Sequence, residues 1–290
     1  MAGMPEPRPI RRWLVAVTAL AGLALVAGCT SSGRPVSPPS SAVTQLGAAL
    51  AHWASFPVQA QIRPVVVAGG LQVDEPDRFL SVAAADAFTA GAIAIPSSLP
   101  SGPARLGSYE LISASHAAAV LTSGSPASPA PSTRLTVTNV KLGAGIFATD
   151  RGRVALPAWR FTIRGVPSPA EVLAVAAAQR YWPSSLKQVS TTVSAAEPGR
   201  SGRALTLTVH GAPAGSGACE ATYSIRQRSS AQAVAVDVIA TVHDHGQNCA
   251  AAAELVTLPL TLPAPLGNRV LVDAQNSAPI PVTQPLTSSS

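Results

Sequence analysis

The chain has 290 residues, of which 47% are apolar and 12% charged, with a formal net charge of +6. It can therefore build a core, and at this length it fits one large domain or two small ones. Its positive balance is not gathered into a Lys/Arg cluster, and only Lys141 and Lys187 are lysines, so a nucleic-acid surface is excluded.

The N-terminus sets the compartment. Arg8, Arg11 and Arg12 precede an apolar run from Trp13 to Ala27, followed by the small pair Ala27-Gly28. A basic start, a short apolar core and small residues before a break form an export signal. The run is about fifteen residues, short of the roughly twenty a spanning helix needs. Val26-Ala27-Gly28-Cys29 resembles the lipobox of bacterial lipoproteins. The resemblance implies that residues 1–28 are removed and that Cys29 is acylated, leaving the chain on the outer face of the cytoplasmic membrane with the lipid bilayer as its partner. Removing Arg8, Arg11, Arg12 and Glu6 with the signal leaves 17 basic and 13 acidic residues, a net of +4.

Residues 29–41 are rich in Ser, Gly and Pro and read as a tether. A mixed α/β segment spans 42–123. Val43, Leu46, Leu50 and Trp53 recur at helical spacing, and Pro57 ends that helix. Arg63 to Val67 is a β-branched run closed by Gly69-Gly70. Asp74 to Asp77 reads as a turn, and Ala83 to Ala90 as helical. Ser113 is placed to cap a short helix over Ala114 to Thr122. Residues 124–133, full of Pro and Ser, hold neither a ladder nor a helix and read as a linker.

A β-rich domain is expected over 134–273. Arg134 to Lys141 and Val154 to Ile163 flank the turn Asp150-Arg151-Gly152 as a hairpin, with Trp159, Phe161 and Ile163 on one face. Glu171 to Tyr181 is ambiguous, with a slight lean to strand. Alternation then places strands at Leu205–Val209, Cys219–Ile225, Val234–Val242, Leu255–Leu262 and Arg269–Asp273. Regular strand–turn–strand spacing indicates an antiparallel β-sandwich in a fold that is mainly β with a few short helices. Pro259 marks an edge or a bulge. Residues 274–290 offer little to bury and read as a disordered tail.

Cysteine arithmetic gives one covalent link. With Cys29 taken by lipid, Cys219 and Cys249 remain, and an even remainder in an exported chain reads as a disulfide. If Ser229-Ser230 turns a hairpin, the start of one strand lies near the end of the next, and the His243–Gln247 loop brings Cys249 back over Cys219.

Phe56-Pro57-Val58 with Arg63-Pro64, then Leu156-Pro157-Ala158-Trp159-Arg160-Phe161, then Pro265-Leu266-Gly267-Asn268-Arg269-Val270 before Asp273 resemble phrases of exported actinobacterial lipoproteins without assigned function. The resemblance implies a surface lipoprotein and supplies no catalytic residues.

Chemistry-bearing motifs are few. His243 and His245 would project from one strand face as two metal ligands, yet zinc needs a third, and Asp244 to Asn248 is a good polar turn. No Gly-x-Ser-x-Gly elbow, P-loop or dinucleotide fingerprint occurs, so no catalytic residue and no cofactor is assigned. Trp182, between Tyr181 and Pro183, has the setting of a sugar-stacking platform, but the expected role is a capped core edge, and the low aromatic content argues against a carbohydrate module. The expectation is a non-catalytic binding or structural lipoprotein of the cell envelope. The alternatives are an exported hydrolase whose site is assembled from distant residues, and a metal-binding protein using His243 and His245.

Overall fold

Serine caps and apolar spacing set the helices. α1 (Ser41–His52) buries Leu46, Ala49 and Leu50 and leads into fully buried Trp53 before Pro57. α2 (Val82–Thr89) starts at Ser81, whose Oγ accepts the Ala84 N–H at 3.2 Å. α3 (Ala114–Thr122) starts in the same way at Ser113, whose Oγ accepts the His116 N–H at 3.2 Å.

The computed structural model describes residues 41–68, 71–73, 79–124, 131–184, 186, 190, 192–244, 246, 249 and 253–283, all within one compact unit, Pro39–Ser290. Five short strands come first: β1 (Val65–Val66), β2 (Leu71–Val73), β3 (Ile93–Ala94), β4 (Arg105–Leu106) and β5 (Tyr109–Glu110). The long hairpin β6 (Leu135–Thr149) and β7 (Gly152–Ile163) turns at Asp150-Arg151. Gly152 takes a φ of 80° there, a left-handed conformation that glycine adopts without a Cβ penalty. β8 (Ala170–Leu173), a 3-10 turn (Ala177–Gln179) and β9 (Arg180–Tyr181) follow. The last third holds β10 (Val193–Pro198), β11 (Ala204–Gly211), β12 (Glu220–Ser229), β13 (Ala233–His243), β14 (Glu254–Thr261) and β15 (Val270–Asp273). Strand makes up 44% of the described residues and helix 14%, so the mainly β class holds.

Four buried clusters support this arrangement, one of them formed by Val67, Phe147, Leu156, Ala158, Leu173 and Val175. The five-stranded sheet β2-β8-β7-β6-β3 lays Trp159, Phe161 and Ile163 against Ala84 and Ala87 of α2 and Ala117 and Leu121 of α3. The sheets β10-β11-β14 and β12-β13-β15 share a second core, in which Leu205, Leu207 and Val209 meet Val234, Val236 and Val238. β13 is buried on both faces over its first six residues. Its second face, Ala233 and Ala235, lies under Leu46 and Leu50 of α1 and Trp53 just after it. Pro259 stands on β14, an edge strand, where its missing N–H breaks no ladder.

The structure departs from the sequence reading in three places and resolves a fourth, ambiguous one. β3 pairs with β6 and β2 with β8, so one sheet takes strands from both sides of the 124–133 stretch, and 42–123 and 134–273 are joined by backbone hydrogen bonds. β15 runs parallel to β13, because it enters after a long connection and not through a hairpin. The ambiguous 171–181 stretch resolves in line with the lean to strand, as two short strands with a 3-10 turn before the second. Residues 274–283 of the expected tail are ordered: Ala278 and Ile280 are fully buried, and the Val282 N–H donates to Asp150 O at 2.9 Å. Prolines 279 and 281 mask the strand pattern, while Ile280 between them and Val282 after them still fill the second core. Residues 1–40, the Asp74–Asp77 turn and 284–290 lie outside the described residues.

A buried carboxylate ties the two parts of the unit together. Asp150 is 2% exposed and receives both terminal nitrogens of Arg63, while Arg151 Nε lies 3.7 Å from Oδ2. Arg63 also donates to Asn268 O at 2.9 Å, and Arg151 to the carbonyls of Gly267 and Arg269. Segments that are scattered in the sequence, around 63, 150 and 268, thus meet at one seam. Burial lowers the Arg151 pKa from its ordinary value, Asp150 opposes that shift, and Arg63 adds to it.

Candidate functional site

The expected disulfide is present. β12 and β13 pair with Glu220 opposite His243, which brings Cys219 and Cys249 to a Cα separation of 5.2 Å in a sulfur–sulfur bond. Cys219 takes a φ of 64°, and its N–H donates to His243 O at 2.7 Å, so the strand end turns sharply there. The bond points to an oxidising, extracytoplasmic compartment. No helix among the described residues is long and apolar enough to cross a membrane. Cys29 lies outside the described residues.

His243 lies with its Nε2 2.8 Å from Thr222 Oγ1 across the hairpin. His245 lies outside the described residues. Among the described residues, no group of three His, Cys, Asp or Glu side chains is placed to hold a metal ion.

The largest concentration of distinctive side chains lies elsewhere, around Arg180, Tyr181 and Trp182. β9 positions them. It pairs parallel with β1, Val65 opposite Arg180 and Val66 opposite Tyr181, and Pro183 ends it. Tyr181 is clasped by the end of α1 and the turn after it. Its ring centroid lies 5.6 Å from that of Trp53 and 5.1 Å edge-on from that of Phe56, and its hydroxyl meets Ser55 Oγ at 2.8 Å. Trp53 in turn donates its ring N–H to Ser277 O at 2.9 Å, which fixes the base of the cluster. Trp182 donates its ring N–H to Leu186 O at 2.8 Å, so the indole is held in one orientation while staying partly exposed.

Arg180 differs from the other arginines of the fold. Its Nε is buried without a hydrogen-bond partner, and no carboxylate among the described residues pairs with it. Arg160 Nε is also buried, but it lies 2.9 Å from Glu171 Oε1, which compensates its charge. Arg203 and Arg269 spend their guanidinium groups on carbonyls of the 262–266 loop. Burial alone lowers the Arg180 pKa, and no neighbouring charge opposes it. A desolvated cation left unpaired costs free energy, and a bound anion would recover it.

Two hollows open on either side of the Tyr181–Trp182 pair. One, about 280 Å³, is lined by Val67, Ala177, Arg180 and the two aromatic residues. The other, about 480 Å³, adds Ala51, His52, Ser55, Pro183 and Ser184. Among the described residues, no carboxylate lines either hollow. Ser55 bonds to a phenol and not to an imidazole, so the serine is not paired with the base that nucleophilic catalysis needs. A third cleft of about 410 Å³ lies over Trp159 beside the start of α3, but no titratable side chain lines it, and Ser113 and Ser115 bond to each other.

The sequence favours a core edge for Trp182 over a sugar platform, and the structure shows a partly exposed indole packed against the cluster around Trp53. Sequence reasoning passed over Arg180, because an arginine before an aromatic pair has no local signature; what marks it is the absence of a carboxylate in space. No family model, curated protein or solved structure matches the chain. The geometry of the groove therefore carries the functional argument.

Proposed function

We propose that this chain is a cell-envelope lipoprotein, anchored to the bilayer through acylated Cys29, whose β-rich ectodomain binds an envelope component without transforming it. The observation that carries the binding role is the Arg180 groove: an unpaired guanidinium beside two oriented aromatic side chains, open to solvent. Such a site supplies attraction and a flat surface, and it lacks a nucleophile paired with a base. The compartment is supported by the Cys219–Cys249 bond, and the anchor by the small pair Ala27-Gly28 ahead of Cys29.

Detergent phase partitioning of the protein made in a bacterium with lipoprotein processing tests the anchor. The wild type is expected in the detergent phase and Cys29→Ala in the aqueous phase, since only a thiol can take the thioether. Equal partitioning of the two would remove the lipid anchor from the account.

A further inference from the structure

The reading of the ectodomain as a binding module can be taken one step further, to a ligand class. We infer that the groove around Arg180, Tyr181 and Trp182 binds a saccharide that carries an oxyanion, a carboxylate or a phosphate on its sugar ring. This rests on the binding role proposed above.

Three observations converge. First, Arg180 offers a planar guanidinium with no acidic partner among the described residues, and its Nε is already withdrawn from water. A guanidinium fork pairs with carboxylate or phosphate oxygens in parallel hydrogen bonds, and a partly desolvated one gains more from doing so. Second, Trp182 lines both hollows and its indole is locked by the bond to Leu186 O. An aromatic ring held in place loses little entropy on binding, and its face suits the C–H side of a pyranose. Third, the hollow on the far side of Trp182 is bordered by the hydroxyl-bearing side chains Ser55 and Ser184 together with His52. These are donors and acceptors for sugar hydroxyls. The anion would sit at Arg180 and the neutral sugar on the indole and beyond it. A lipid acyl chain would need an apolar channel, and the larger hollow instead presents polar side chains.

The intrinsic fluorescence of the protein makes the test direct. Trp53 and Trp159 are 0% and 1% exposed, so a ligand in the groove changes the emission of Trp182. The folded mature protein is titrated with a glucuronate-containing tetrasaccharide, with the same oligosaccharide after its carboxyls are reduced to alcohols, with a hexose 1-phosphate and with inorganic phosphate. The expected result is saturable binding of at least one anionic saccharide, at least about tenfold tighter than the neutral analogue. Arg180→Gln should erase that difference and leave the weak neutral binding in place. Trp182→Ala, read by calorimetry, should weaken the acidic and neutral saccharides alike. Because the Arg180 Nε has no hydrogen-bond partner and the backbone pairing of β9 does not depend on the side chain, Arg180→Gln should keep the wild-type unfolding midpoint, which separates a lost site from a lost fold.

The uronate and the sugar phosphate arms distinguish the two sources of the anion. Binding of inorganic phosphate as tight as that of the hexose phosphate would overturn the saccharide assignment. So would equal affinity for the acidic and reduced oligosaccharides, or an Arg180→Gln variant that binds as the wild type does. Absence of saccharide binding in a protein that is still lipidated at Cys29 rejects this ligand class alone. Saccharide binding without lipidation rejects the anchor alone.

Discussion

Asp150→Ala is the substitution from which most is expected. The carboxylate is 2% exposed, and removing it leaves the guanidinium groups of Arg63 and Arg151 facing each other. Breaking one side of a fully buried ion pair costs about 3–5 kcal/mol. Here the side chains of Arg63 and Arg151 are 17% and 30% exposed, so water partly compensates the orphaned charges. A loss of about 2–3 kcal/mol follows. Arg63→Ala should cost about 2 kcal/mol, because it also loses the bond to Asn268 O and the contact over the Phe56 ring at 5.0 Å. The double variant should be less unstable than the sum, with a coupling of about 1.5–2.5 kcal/mol. Urea unfolding of the four proteins, with a common m-value, measures it. The exposed pair Arg105–Glu110, 3.3 Å apart with side chains 57% and 54% exposed, is the control and should couple by less than about 0.5 kcal/mol. A coupling at Asp150–Arg63 no larger than that control would refute the view that this carboxylate holds the seam.

Two further outcomes follow from the same structure. Cys219 and Cys249 close a loop with a sequence separation of 30, for which the chain-entropy estimate is about 3.6 kcal/mol; Cys219→Ser/Cys249→Ser should lose up to that amount and stay folded by circular dichroism, and an unchanged denaturation midpoint would contradict the staple. Ile280→Ala should lose about 2–5 kcal/mol because the side chain is fully buried, whereas Leu255→Ala, 64% exposed, should stay within about 0.5 kcal/mol of the wild type; equal effects would show that residues after 273 do not complete the core.

Strands with one covered face were the most legible part of the chain. Trp159, Phe161 and Ile163 alternate with polar neighbours because one face of β7 meets α2 and α3, and period-2 patterning reports that directly. The caps at Ser81 and Ser113 are local chemistry, and the latter was readable in place. The Cys219–Cys249 pairing followed from compartment and hairpin register together. What could not be read is non-local. The contribution of α1 to the second face of β13 depends on a helix about 190 residues away in the chain, and Ala233 and Ala235 alone do not announce it. Residues 274–283 interleave apolar residues with prolines, a pattern that matches neither helix nor strand, yet Ile280 and Val282 find places in a core already built. Asp150 looked like a turn residue and is one, but its role comes from Arg63, a partner 87 positions earlier. Arg180 is the extreme case, since its distinguishing feature is the carboxylate it does not meet.

The most direct test of the account is the mass of the N-terminal fragment of the mature protein isolated from a bacterial membrane. The account predicts a chain that begins at Cys29 and carries a thioether-linked diacylglyceryl group. A chain beginning at another residue, or an unmodified Cys29 thiol in membrane-derived protein, would contradict it.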